Sequence, residues 1–108
     1  MLQPIGSGAS KTIVIRVDGD IEELIPKFLE GRREDVKALG AALDKGDYDT
    51  VLFLGHNLKG AGGSYGFDFI TELGQDLEQS ARERDAEKVG RLIKELSSYL
   101  ERVEVVYV

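Results

Sequence analysis

A single histidine sets the chemistry open to this chain. His56 is the only one in 108 residues; Lys59 follows three positions on, and Gly60, Gly62, Gly63 and Gly66 fall within the next ten. Imidazole is a nucleophile near neutral pH because its ordinary pKa is about 6.5. A histidine held at a rigid surface can take a phosphoryl group and hand it on. An ammonium such as Lys59 offsets the negative charge that arrives with that group. Glycines beside the ring leave a notch over which another protein's active site closes.

The element carrying these residues decides whether they meet. Val51-Leu52-Phe53-Leu54 runs into them with no breaker before Gly55, which predicts a helix through His56. At about 100° per residue, Lys59 lies about 60° from His56, Gly60 about 40° and Gly63 about 20°. Leu52 and Phe53 share that side, either as a docking patch around the histidine or as packing against a neighbouring helix. Val51, Leu54, Leu58 and Ala61 fall opposite as a core stripe. His56 thus points away from the core, with Leu52, Phe53, Gly60 and Gly63 as candidate partner-binding positions.

Further helices must flank this one. Apolar residues Ile21, Ile25, Leu29, Val36, Leu39 and Leu43 recur at helical spacing, and Pro26 either kinks that helix or separates a short first turn from it. Asp20 is its expected N-cap. Gly46 stops it, Asp47 caps the His56 helix, and Gly66 ends that one at about Ser64. Asp68 is the expected cap of a third helix with the stripe Ile70, Leu73, Leu77 and Ala81. Asp85 opens a fourth, with Ala86, Val89, Leu92, Ile93, Leu96 and Leu100 facing in.

Short connections between four such helices predict an all-α protein, an antiparallel up-down-up-down four-helix bundle. Residues 12–17 read as a strand by β-branched content. They lie at the same end as the terminal Val103-Glu104-Val105-Val106-Tyr107-Val108. The expectation is a short two-stranded antiparallel ribbon; a straight continuation of the fourth helix is the alternative. Residues 1–11 read as a flexible arm and residues 12–108 as one domain, the bundle covering about 20–102. Gly55 and Gly74 are expected to be close-packing positions between helices.

Composition removes several classes of function. The formal charge of -6 argues against nucleic acid, which attracts basic patches. No apolar run approaches the roughly 20 residues needed to span a bilayer, and the opening residues lack a signal-peptide pattern. With no cysteine there is no disulfide or thiolate site, which fits a cytoplasmic protein. One histidine without clustered ligands makes no metal site. The glycines match neither phosphate-cradling pattern: a Walker loop places its lysine after the glycines, and a dinucleotide fingerprint begun at Gly60 would need glycine where Tyr65 stands. No nucleophile elbow supports a hydrolase triad.

At His56-x-x-Lys59-Gly60-x-x-Gly63-x-x-Gly66 the sequence resembles the signature of histidine-containing phosphotransfer (HPt) domains of multistep phosphorelays, over about residues 20–102. The resemblance implies that His56 is the phosphoacceptor, at Nε2, with Lys59 as the neighbouring cation. It implies receiver domains and a hybrid histidine kinase as partners, with phosphate taken from a receiver's aspartyl phosphate and passed to another. It also implies that the receiver supplies the Mg²⁺, no cofactor being bound by this chain. With no nucleotide-binding domain read in the sequence, the chain is not expected to phosphorylate itself from ATP. Some family members place a glutamine on the following helix to hold the imidazole; the matching position here is Glu78. The competing function is a scaffold or inhibitor that occupies a receiver or kinase without being phosphorylated.

Measured from the turn at Gly46, His56 is level with about Val36, so Arg32 and Arg33 come within a turn of it. Arg32 or Arg33 is then expected to pair with Glu78 or to supplement Lys59; the alternative is that both are solvated.

Overall fold

A computed structural model describes residues 11–108. The expected arm therefore lies, apart from Lys11, outside the described residues. The element order is β1 (Ile13–Val17), a 3₁₀ turn (Gly19–Leu24), α1 (Ile25–Asp44), α2 (Tyr48–Ser64), α3 (Asp68–Arg82), α4 (Ala86–Arg102) and β2 (Val103–Tyr107). The helices form an antiparallel bundle in which each packs mainly against its two neighbours around a ring, α4 closing onto α1.

Local chemistry sets most of the boundaries. Asp47 accepts a hydrogen bond from the Thr50 amide at 3.1 Å, and Asp85 one from Lys88 at 3.1 Å, capping α2 and α4. Gly46 and Gly66 turn the chain with φ of +67° and +86°, a region open to glycine at no steric cost. Pro26 stands in the first turn of α1, where its missing N–H has no helical partner to lose. It thus separates the 3₁₀ turn from the main helix. Two expected caps are corrected. Asp18 caps the 3₁₀ turn by accepting from the Asp20 amide at 2.8 Å, while Leu24 precedes α1 without a side-chain cap. Phe67, not Asp68, precedes α3, and it is fully buried instead of capping.

The core runs the length of the bundle. Leu39, Val51, Leu58, Ile70, Leu77, Val89 and Leu96 have no exposed surface. Phe28 stacks on Tyr65 and Phe67, at 4.4 and 5.2 Å between centroids, and fixes the start of α1 against the α2–α3 turn. Ala86, expected to face in, is exposed at the first position of α4, before the helix reaches the depth of its neighbours.

The terminal segments do pair, but the ribbon is parallel, with Ile13 opposite Val103 and Val17 opposite Tyr107. This corrects the antiparallel expectation. β2 leaves α4 directly, through a residue already extended at φ -70° and ψ 134°. The 3₁₀ turn lies between β1 and α1 and doubles the chain back, so β1 runs in the direction of β2. The whole bundle serves as the crossover that a parallel pair requires.

Candidate functional site

Helices α2 and α3 approach closely because three glycines face the contact. A Cβ on Gly74 would lie 2.5 Å from the Lys59 amide nitrogen and 2.7 Å from the Gly55 carbonyl oxygen. One on Gly55 would meet the Gly74 carbonyl at 3.0 Å, and one on Gly62 would meet Thr71 Oγ1 at 2.6 Å. Gly55 and Gly74 are therefore close-packing positions, as their placement suggested. This contact seats the Glu78 side chain, 6% exposed, against α2.

Glu78 gathers the site. Its Oε2 lies 3.1 Å from His56 Nδ1, its Oε1 lies 2.7 Å from Lys59 Nζ, and Arg82 Nη2 stands 3.8 Å from Oε2. The hydrogen bond from Lys59 is the largest influence on the Glu78 carboxyl and holds it below the usual glutamate range; desolvation opposes this, and the bond to His56 adds to it. An ionised carboxylate only accepts, so the hydrogen bond assigns the proton to Nδ1. The lone pair of the neutral ring then sits on Nε2. The imidazole is 67% exposed, so that nitrogen belongs to a side chain a visitor reaches.

The surroundings of the ring divide. Phe53 is 63% exposed. Gly60 is exposed with nothing within 4 Å of a notional Cβ, and Gly63 is exposed with only Thr71 Oγ1 at 3.6 Å. These three positions form an accessible apolar and bare-backbone surface beside His56. Leu52 is half-buried and packs against the core, so it serves that surface only in part.

Arg32 and Arg33 are not brought to the site, which corrects the expectation that one of them joins Glu78 or Lys59. Arg32 Nε lies 2.8 Å from Asp35 Oδ2, and its guanidinium sits over the Phe28 ring at 4.8 Å. Arg33 is 3.7 Å from Glu30. α1 and α3 are diagonal in the ring, and depth along a bundle leaves open the direction a side chain takes around α1. The arginine that does reach Glu78, beside Lys59, is Arg82, one turn on along α3. Its i,i+4 spacing from Glu78 is the sequence signal that would have found it.

The arrangement is a shielded carboxylate that orients an imidazole and holds two cations, Lys59 and Arg82, beside it. It suits a ring that must receive and release an anionic group. Among the described residues no cluster of His, Asp and Glu is arranged to hold a metal ion. No helix among them is long and apolar enough to cross a membrane.

Searches of curated proteins and of solved structures returned no match. The Hpt domain family model matches residues 23–105, the span of the whole bundle. With the imidazole, its lysine and the helix-bound carboxylate all inside that span, the chain belongs to the Hpt domain family, whose members are phosphocarriers, not kinases, acting by histidine phosphotransfer in phosphorelays.

Proposed function

We propose that this protein is a phosphocarrier in which His56 Nε2 accepts a phosphoryl group from the phospho-aspartate of a receiver domain and passes it to a second receiver. The observation that carries this reading is the Nδ1–Glu78 hydrogen bond at 3.1 Å, which leaves Nε2 as the nucleophile on an exposed ring. The receiver docks over Phe53, Gly60, Gly63 and the accessible part of Leu52 and presents its phospho-aspartate in line with Nε2. The Nε2 lone pair forms the N–P bond as the P–O bond to the aspartyl carboxylate breaks, and that carboxylate leaves with the electron pair. Nδ1 keeps its proton, and Glu78 faces the positive charge the ring acquires.

Lys59 and Arg82 then face the phosphoryl oxygens. In the resting protein Glu78 holds both, so the incoming group competes with a carboxylate for them. Positioning and charge neutralisation of this kind dominate phosphoryl transfer generally. In this reading the Mg²⁺ belongs to the receiver, and a hybrid histidine kinase is the source of the phosphate upstream.

A panel of ³²P-labelled receiver domains tests the proposal. One or more should lose label as His56 gains it, and His56→Gln should accept none while keeping its affinity for the receiver. Receivers that bind the protein yet never load it would favour the scaffold function instead. ATP alone should leave His56 unlabelled.

A further inference from the structure

The end of the bundle where β1 meets the α2–α3 turn holds a polar group with no partner. Tyr99 is 2% exposed, and its hydroxyl has no hydrogen-bond partner among the described residues. Its ring stacks on Phe69 at 4.6 Å. Both line an open notch of about 300 Å³ with Ile13, Ile15, Asp68 and Arg102. Burial, with a smaller push from the Asp68 charge, raises the phenol to about 12, so the hydroxyl remains a donor at any physiological pH.

Among the described residues, the strand bordering the notch pairs along one edge only. Val17 O accepts from the Val108 amide at 2.9 Å. Along a pleated strand the N–H and C=O of one residue point to the same side and successive residues alternate. Ile13, Ile15 and Val17 therefore bond β2, while Val14 and Arg16 turn their backbone groups to the opposite edge. Among the described residues no backbone group pairs with them there. That edge lies on the side of the α2–α3 turn, since a Cβ on Gly66 would sit 4.0 Å from the Arg16 carbonyl oxygen. The side chains of Val14 and Arg16 are exposed, whereas those of Ile13, Ile15 and Val17 face the bundle. A strand added to this edge would project alternate side chains into the notch.

We propose that this edge and notch form a docking site for an extended peptide segment of a partner protein. The segment pairs with Val14 and Arg16 and seats one glutamine or asparagine side chain in the notch. Strand addition supplies main-chain hydrogen bonds, and the pocket for an alternate side chain supplies selectivity. A carboxamide matches the polar groups present, its oxygen accepting from the Tyr99 hydroxyl and its NH₂ donating to Asp68. An ammonium leaves the phenol unmet and faces Arg102 with like charge. A carboxylate meets Asp68 with like charge, while Arg102 is engaged through Nε by Ser98 at 3.1 and 3.3 Å. A second copy of this chain fits less well. Its own β1 would offer only Ile13, Ile15 and Val17 to the notch, and both copies carry a charge of -6.

The test titrates the blocked peptide Ac-Thr-Val-Gln-Val-Thr-NH₂ into the full-length ¹⁵N-labelled protein. Saturable shifts are expected at the amides of Val14, Arg16 and Phe69, with the amide of His56 unmoved. Replacing the glutamine of the peptide by leucine should weaken binding roughly three- to tenfold, the span of one neutral hydrogen bond. Tyr99→Phe, which keeps the ring stack, should weaken the glutamine peptide to the same degree and leave the leucine peptide unaffected. Val14→Pro, which removes an edge N–H outside the β1–β2 ladder, should abolish binding. Because the leucine comparison alters only the peptide, it stands even if a variant folds poorly. The proposal is overturned if Val14 and Arg16 do not shift, if the two peptides bind equally, or if residues before Lys11 already protect those amides from exchange.

Discussion

Glu78 determines how much positive charge meets an incoming phosphoryl group. In the resting site its carboxylate offsets the ammonium of Lys59 at 2.7 Å. Glu78→Gln keeps an acceptor for Nδ1 and removes that offset. Two unit charges about 4 Å apart interact by about 1 kcal/mol at solvent-like screening. The variant should therefore favour phospho-His56 over the phosphorylated receiver by roughly fivefold, read from the end point of a transfer reaction. A shift toward the receiver would show that the carboxylate's support of the cationic ring outweighs its repulsion of phosphate. Glu78→Leu removes the acceptor as well and should slow loading by freeing the imidazole to rotate. Arg32→Ala should leave transfer rates unchanged, because Arg32 is engaged by Asp35 and Phe28 and not by the site.

At the scale of elements, two glycines near His56 have opposite purposes. Gly74 lies in the α2–α3 contact, where a methyl group would collide with backbone atoms at 2.5 and 2.7 Å. Gly74→Ala should cost about 1–3 kcal/mol, the usual range for overpacking, and should loosen the His56–Glu78 pair, so the melting temperature and loading rate fall together. Gly60 faces open space. Gly60→Ala should stabilise α2 by about 0.5–1 kcal/mol while weakening receiver docking, so stability and transfer move in opposite directions. Chemical denaturation beside transfer kinetics separates the two cases. The face of α2 was legible in the sequence because one helical period relates His56, Lys59, Gly60 and Gly63 with no reference to the rest of the fold. Glu78 was legible through its place on the following helix. Arg32 and Arg33 were misplaced because depth along a bundle fixes height and leaves open the direction around the helix. The ribbon's direction was hidden because it turns on the φ and ψ of the 3₁₀ segment, which hydrophobic pattern does not encode.

The whole molecule should respond to pH at both extremes, for different groups. Glu78 and Asp47 both have carboxyls held below their ordinary range, Glu78 by Lys59 first and Asp47 by the Thr50 side chain first. A depressed folded-state pKa gives stability that is fully present above the unfolded value and lost as pH falls through the folded one. Stability should therefore decline on acidification below about pH 4, the ordinary carboxylate range. Asp35 opposes this weakly, because desolvation raises its carboxyl despite the Arg32 contact. Tyr99, raised to about 12 by burial, acts at the other end. Its neutral form is favoured by folding, so its contribution is intact below the ordinary tyrosine pKa near 10 and falls as pH rises toward 12. Tyr99→Phe should flatten the alkaline limb of a denaturation–pH profile and leave the acid limb unchanged; an unaltered alkaline limb would place the sensitivity elsewhere.

The proposed phosphocarrier role turns on which imidazole nitrogen carries the phosphate. The protein loaded from a phosphorylated receiver should show, by ³¹P–¹H correlation, a single phosphohistidine bonded through Nε2 of His56, with Nδ1 protonated toward Glu78. Phosphate found on Nδ1, or a receiver that discharges without leaving any on His56, would contradict it.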